Sequence, residues 1–297
     1  MKLNAILYII TAAFLWGLIG LFVKILTAQG FTPMQIVALR AVFSTICISI
    51  FIFKLGINYL QIKLRDIWLF IGTGIISLTF FNYCYFNCIN ESSLAAAALL
   101  LYTAPIFVML LSLILFREKF TFPKAIALLS TFLGCAFITG VFNSQLNLSL
   151  SAIFFGLGSG IGYALYSIFG KLAVRKYSTA TITAYTFYCS TLSSVPLADF
   201  AHCTGTFNMQ TILAGLGIGG LCAFIPYLLY TRGLQDVEAG QAAILATIEP
   251  LVAACVGIFI FHEPITISKA AGIFLILASV VILNIGQHNA HKSSQNA

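Results

Sequence analysis

The chain contains 297 residues, of which 60% are hydrophobic and only 8% are charged. A soluble domain has about 25% charged residues, so this composition excludes a soluble globular protein and indicates an integral membrane protein. The formal net charge of +7 does not indicate a nucleic-acid-binding protein, because the basic residues lie between apolar stretches and form no single patch.

Ten apolar stretches follow one another along the chain, separated by short polar breaks. Each is close to the roughly 20 residues that an α-helix needs to cross a bilayer. Helices are expected because each one satisfies its own backbone hydrogen bonds in the absence of water. The predicted spans are residues 4–26, 34–54, 67–88, 94–115, 124–142, 151–171, 180–199, 209–231, 238–261 and 268–286.

The distribution of Lys and Arg predicts how the spans are oriented. With a cytoplasmic N-terminus, twelve of these residues lie on the cytoplasmic side, Arg40 lies within a span, and only Lys24 and Lys269 lie on the other side. Basic loops are retained on the cytoplasmic side of a membrane. We therefore expect cytoplasmic N- and C-termini in a multi-pass protein of the cell membrane, in contact with the lipid bilayer.

Two parts of the chain repeat each other. Residues 99–125 (LLLYTAPIFVMLLSLILFREKFTFPKA) and 244–270 (ILATIEPLVAACVGIFIFHEPITISKA) align without a gap at an offset of 145. Half of the chain therefore contains about five spans. The identical pairs include Pro105 and Pro250, Glu118 and Glu263, Thr121 and Thr266, and Lys124 and Lys269.

An odd number of spans in each half requires the second half to enter the membrane from the opposite side. Inverted repeats of this kind recur among secondary transporters. We predict an all-α integral membrane fold with ten transmembrane helices arranged as a 5+5 inverted-topology repeat. Residues 1–142 and 150–286 are the two predicted copies, and residues 287–297 are predicted to be a disordered polar tail.

Short motifs at corresponding places also characterise the chain. They are Ala13-Phe14-Leu15-Trp16-Gly17 in the first span, Ala38-Leu39-Arg40 in the second, and Pro105…Glu118 and Pro250…Glu263 closing the fourth and ninth. In these motifs the whole chain resembles the EamA family of the drug/metabolite transporter superfamily. The resemblance implies a central cavity that opens alternately to either side, and export, or less often uptake, of amino acids, other metabolites or drugs.

Glu249 lies in the middle of the ninth predicted span. An ionised carboxylate at this depth is costly unless it is paired, protonated or hydrated. One interpretation is that Glu249 lines a cavity and binds a cationic group or a proton; the alternative is a protonated Glu249 that hydrogen-bonds a neighbouring helix. Because the first copy has Ala104 at the equivalent position, this charge is asymmetric.

Arg40 lies about two turns into the second span. It either faces the cavity, where it binds a carboxylate or pairs with Glu249, or extends along the helix to the interface. Glu118 and Glu263 end their spans and are interpreted as gate residues or as caps of the helix that follows, with capping favoured.

Further polar and aromatic residues are interpreted as the lining of a solute cavity in spans 1–4 and 6–9. Aromatic walls with a few amides suit an amphipathic organic solute. For each residue the alternative is hydrogen bonding between helices or an interfacial aromatic belt. These residues are Trp16, Asn82, Asn87, Tyr102, Tyr163 and Gln241, and the prolines expected to kink their helices are Pro105 and Pro250.

The sequence predicts no cofactor and no metal. The eight cysteines are scattered without a CxxC pair, and Gly215–Gly220 matches GxGxxG inside an apolar helix with no strand before it. The leading hypothesis is a secondary transporter of small organic solutes rather than an enzyme. Coupling to protons and a homodimer are left open. The alternatives are a membrane-embedded enzyme for lipid-like substrates, which the scattered acids disfavour, and a non-transporting membrane subunit.

Overall fold

The computed structural model of the protein describes residues 2–141 and 149–295, and within them the chain forms helices and no strand. The predicted ten-helix, all-α fold is confirmed. Five helices are continuous: α2 (Pro33–Leu55), α5 (Phe122–Ile138), α6 (Leu150–Ala173), α7 (Thr179–Leu197) and α10 (Ile267–Gln295).

The other five helices consist of two or three consecutive segments. Helices α1, α4 and α9 are interrupted, whereas α3 and α8 each contain a π-helical stretch. Their segments are α1 (Lys2–Gly17, Ile19–Ala28), α3 (Ile67–Ile71, Gly72–Thr79, Phe80–Glu91), α4 (Leu94–Leu101, Ala104–Phe116), α8 (Met209–Leu216, Gly217–Phe224, Ile225–Asp236) and α9 (Ala239–Ala246, Ile248–Phe259).

The predicted limits of the two copies stay a prediction. The polar break predicted at 143–147 lies outside the described residues, as do residues 296 and 297 of the predicted tail. Helix α10 extends to Gln295, and the disorder of the tail stays a prediction.

Seven of the described helices are long and apolar enough to cross a membrane: α1, α2, α3, α4, α6, α8 and α9. The apolar parts of α5 and α10 are shorter, at 122–138 and 267–283. Helix α7 contains eight Ser and Thr residues, which lower its hydropathy. Several of them face neighbouring helices: the Thr186 hydroxyl lies 2.7 Å from that of Thr73, and the Ser193 hydroxyl 2.7 Å from that of Thr79. Such bonds let a polar helix lie in the interior of a bundle.

Local sequence signals determine where many helices begin. Side-chain oxygens at six N-caps of the described helices accept a backbone N–H from the first turn, which satisfies a group that has no partner within the helix. In α2 the Thr32 cap is reciprocal, because the Gln35 side chain also accepts the N–H of Thr32 at 2.9 Å. The six N-caps are Thr32, Ser93, Ser149, Ser178, Asn208 and Thr266.

Equivalent helices of the two halves run antiparallel to each other. Between α2 and α7, Thr45 bonds Thr191 at 2.9 Å and Ser49 bonds Tyr188 at 3.1 Å, so residue numbers rise in one helix as they fall in the other. Between α5 and α10, Thr131 donates to Ser279 at 3.0 Å, and Ser268 donates to the carbonyl of Phe137 at 2.9 Å. The second half is therefore inverted relative to the first in this structure.

Candidate functional site

The centre of the molecule lies where α4 and α9 are interrupted. Pro105 and Pro250 each occupy the first turn of a second segment, where a missing N–H breaks no helical hydrogen bond. Glu249 therefore lies in the first turn of a helical segment, although it is in the middle of a span. Unpaired N–H groups and the helix dipole favour a carboxylate at such a position.

Glu249 has one hydrogen-bond donor from the other side of the interface between α6 and α9. The hydroxyl of Tyr163 donates to Oε2 of Glu249 at 2.9 Å. A hydrogen bond to a charged group is worth about 1.5–3 kcal/mol, more than a bond between neutral groups. Tyr163 therefore fixes the position of the carboxylate in the half-buried site.

The structure does not pair Arg40 with Glu249. Within residues 2–141 and 149–295, the ion pairs with N···O distances up to 4.0 Å do not include Arg40. Its charge acts on Glu249 only at longer range. Arg40 was interpreted as a cavity residue that either binds a carboxylate of the solute or pairs with Glu249. The direct pair with Glu249 is not formed in this state of the protein.

Two adjoining cavities lie beside Glu249. Both are narrow, with room for little more than a single water molecule at a time. They share Tyr163, Ser167 and Tyr230; the first also includes Tyr102, Pro105, Thr247 and Glu249, and the second Trp16, Ser77, Phe81, Tyr166 and Tyr227.

An aromatic cluster forms most of the wall of the second cavity. The ring of Tyr227 lies 5.1 Å from that of Trp16 and 4.7 Å from that of Tyr166, measured between centroids. Two tyrosine hydroxyls bond neighbours: that of Tyr166 lies 2.7 Å from the hydroxyl of Thr231, and that of Tyr230 lies 2.7 Å from the hydroxyl of Ser167. The indole N–H of Trp16 is buried without a hydrogen-bond partner. A buried unpaired donor is costly, and this one belongs to a residue that lines the second cavity.

The cavities include some of the predicted residues and omit others. Trp16, Tyr102, Tyr163, Pro105 and Glu249 are lining residues. The predicted residues within the spans that line neither cavity are Arg40, Asn82, Asn87, Gln241 and Pro250.

Two of the omitted residues bond within their own helix. The amide of Asn82 donates to the carbonyl of Leu78 at 2.6 Å, and that of Asn87 to the carbonyl of Tyr83 at 2.8 Å. Their amide groups therefore bond within α3, which is neither the cavity lining nor the hydrogen bonding between helices that the sequence suggested. Helices α2 and α7, which were expected to line the cavity, contribute no residue to either one.

Tyr166, Tyr227 and Tyr230 are site residues that sequence reasoning missed. Tyr163 and Tyr166 are three residues apart, as are Tyr227 and Tyr230. Residues three apart lie on the same face of a helix, so two tyrosine pairs facing one interior were a usable signal.

Glu118 caps a helix, but not the helix predicted. Its Oε1 accepts the N–H of Ala239 at 2.8 Å, and its Oε2 accepts the N–H of Gly240 at 3.1 Å. These residues begin α9 in the other half of the chain, whereas α5 was the expected partner. Glu263 bonds Lys269 at 2.7 Å, and its side chain is 49% exposed.

Comparison with known proteins gives consistent matches along the chain. The sequence model of the EamA-like transporter family matches residues 3–140 and, a second time, 150–285. A protein of Archaeoglobus fulgidus named "uncharacterized transporter" is 31% identical over 278 residues, which are 92% of this chain and 94% of that protein. The "uncharacterized transporter YwfM" of Bacillus subtilis is 22% identical over 94% of this chain and 93% of its own length. A solved crystal structure shows the same fold, with a TM-score of 0.85 and 15% identity over 98% of this chain and 99% of that chain.

Proposed function

Because the chain belongs to the EamA-like transporter family, we propose that it is a secondary carrier that moves small organic solutes across the membrane by alternating access. The family and the membrane-spanning helices identify the chain as a multi-pass membrane transporter. We propose in addition the class of solute, the alternating-access cycle and the direction of transport. Export is the direction that the family resemblance favours, and no enzymatic activity is proposed.

The observation that carries the proposal is the position of Glu249. It lies at the interruption of α9, is held by Tyr163 of α6, and lines a cavity bounded by both halves. Secondary transporters bind substrates at such places, where interrupted helices from two repeats meet near the middle of the bilayer. We assign Glu249 to binding the cationic group of the solute or a proton. The other acids lie in loops or near helix ends.

The orientation and location of the carrier are also part of the proposal. The excess of Lys and Arg in one set of loops supports cytoplasmic N- and C-termini. Together with the membrane-spanning helices, this supports a place in the cell membrane.

Release of solutes from liposomes tests the proposal. Liposomes with the purified chain are loaded with amino acids and small organic amines, and release is followed by mass spectrometry. We expect saturable release of a subset of these solutes, and a loss of at least ~10-fold in Glu249→Gln, because the charge that Tyr163 and the solute both bind is removed.

A matched control is Glu91→Gln, which removes an acid that bonds Ser151 at 2.8 Å on an exposed surface. This variant is expected to release solutes as the wild type does. If release is no greater than from loaded liposomes without the protein, the chain is not a carrier for these solutes. Undiminished release by Glu249→Gln would leave a carrier but remove Glu249 from its site.

A further inference from the structure

The second segments of α4 and α9 end in the same local structure. Arg117 and His262, which follow them, have φ of 55° and 56°, in the left-handed region. The next residue in each half bonds back to its helix: Glu118 N–H to the carbonyl of Ser112 at 3.3 Å, and Glu263 N–H to that of Gly257 at 3.0 Å. All three positions differ by the repeat offset of 145. The backbone at the two glutamates is therefore the same and does not explain their different partners.

At the Glu118 end, the two halves are joined. Ala239 and Gly240 are the first residues of α9, and their N–H groups have no acceptor within the helix. Both are satisfied by the buried Glu118 carboxylate of the other half. An ion pair between Lys124 and Glu238 lies beside this contact. The contact itself is buried: the side chain of Ala239 is fully covered.

At the Glu263 end, the corresponding contact is open. The residues equivalent to Ala239 and Gly240 are Leu94 and Ala95, the first residues of α4. Leu94 is 63% exposed, and Glu263 bonds Lys269 of its own half rather than these amides. An open surface groove lies between α1 and the residues after α9, lined in part by Lys24, Phe261 and Glu263.

We propose that Glu118 and Glu263 are alternately engaged latches of the carrier proposed above, on which this inference rests. In the state seen here, the Glu118 carboxylate holds the amides of Ala239 and Gly240 and closes one end. In the mirror-related state this contact opens, and the Glu263 carboxylate binds the amides of Leu94 and Ala95 and closes the other end. Both glutamates are positioning residues, since neither lines the central cavities.

The two latches are unequal, and the inequality explains which one is engaged. Lys124 has Glu238 beside the first latch, but the position equivalent to Glu238 is Ser93, so Lys269 would gain no carboxylate in the mirror state. In the mirror state Lys269 would be a partly buried cation without an anion, which is unfavourable. In the state seen here Lys269 keeps Glu263, because the second latch is open. The Glu118-latched state is therefore the resting state of the chain without solute.

Amide hydrogen exchange of the full chain in lipid nanodiscs, followed by mass spectrometry, tests the latches. In the wild type, Ala239 and Gly240 are expected to exchange more slowly than Leu94 and Ala95. In Glu118→Gln, residues 239–240 are expected to exchange at least ~5-fold faster, because the charged acceptor is lost. Residues 94–95 are expected to exchange more slowly, because the mirror state becomes populated.

The mirror variant is the matched control. Glu263→Gln is expected to leave residues 239–240 protected as in the wild type. The double variant Glu118→Gln/Glu263→Gln is expected to lose the slowed exchange at residues 94–95. If Glu118→Gln accelerates residues 239–240 and leaves 94–95 unchanged, Glu118 is a helix cap only and the latch is overturned. Unchanged exchange at both places overturns it as well.

A surface variant decides the question if Glu118→Gln does not fold. Glu238→Gln removes the ion pair with Lys124 at a side chain that is 47% exposed, and it leaves the Glu118 contact in place. It is expected to slow exchange at residues 94–95 in the same direction by a smaller factor. No slowing there overturns the proposal.

Solute release from liposomes separates this inference from the proposed function. Release by the wild type without any latch-dependent change in exchange overturns the latch alone. If amide exchange changes in the variants as expected but the wild type releases no solute, the proposed carrier is contradicted. The two ends would then still close alternately.

Discussion

The interrupted helices α4 and α9 are equivalent elements of the two halves, but their acidic residues differ at the interruption and in the partners they bond at the end. At the interruption, α9 carries Glu249 and α4 carries Ala104. At the end, Glu118 is buried against the other half, whereas Glu263 is exposed. The repeated sequence therefore determines the backbone, while substitutions between the copies and the relative position of the halves determine the chemistry.

Moving the acid from one interruption to the other should have the largest effect. In the double variant Ala104→Glu/Glu249→Ala, the acid lies in α4, but the residue equivalent to Tyr163 is Leu18, which has no hydroxyl. We expect solute release from liposomes to fall at least ~10-fold, as for removal of the acid alone, because no donor fixes the new carboxylate. Wild-type release by this variant would show that an acid at either interruption is sufficient.

Glycines that support the two interruptions should have the next largest effect. A Cβ on Gly17 of α1 would lie 2.8 Å from the carbonyl oxygen of Glu249, and one on Gly160 of α6 would lie 2.9 Å from that of Leu100. Overpacking costs about 1–3 kcal/mol, so Gly17→Ala and Gly160→Ala should both lower the unfolding temperature. Only Gly17→Ala should also reduce solute release, because it displaces the segment that carries Glu249.

The control for these variants is Gly20→Ala in the second segment of α1. A Cβ at this position meets no atom within 4 Å. Its release is expected to stay at the wild-type value, and its unfolding temperature is expected to stay the same or rise slightly, because alanine favours a helix more than glycine does. An equal loss of release in Gly160→Ala would mean that the two interruptions contribute alike, contrary to the asymmetry of their acids.

The ends of α4 and α9 should respond alike to a purely local change. Arg117 and His262 adopt the same left-handed conformation, which costs a residue with a side chain about 1–2 kcal/mol. Glycine removes this cost but adds chain entropy to the unfolded state. Arg117→Gly and His262→Gly are therefore expected to shift the unfolding temperature slightly and by similar amounts. A large difference would show that the two ends are not equivalent in backbone structure.

The sequence by itself determined the membrane environment, the ten helices, the repeat and the positions of Pro105 and Pro250. These features follow from hydropathy over about 20 residues and from a fixed offset, both of which are local or additive along the chain. It also identified Glu249 and Tyr163 as candidate site residues, because an acid or an aromatic hydroxyl within an apolar span stands out.

Only the tertiary structure decided which groups meet. It placed Tyr163 on Glu249, left Arg40 without that carboxylate, and put Glu118 on α9 rather than on the next helix. Residue types and spacing cannot give these contacts, because partners more than eighty residues apart meet only through the packing of whole helices, within the second half for Tyr163 and Glu249 and between the halves for Glu118 and α9. The same side chain in the same local structure, as Glu118 and Glu263 show, has different partners when that packing differs at the two ends.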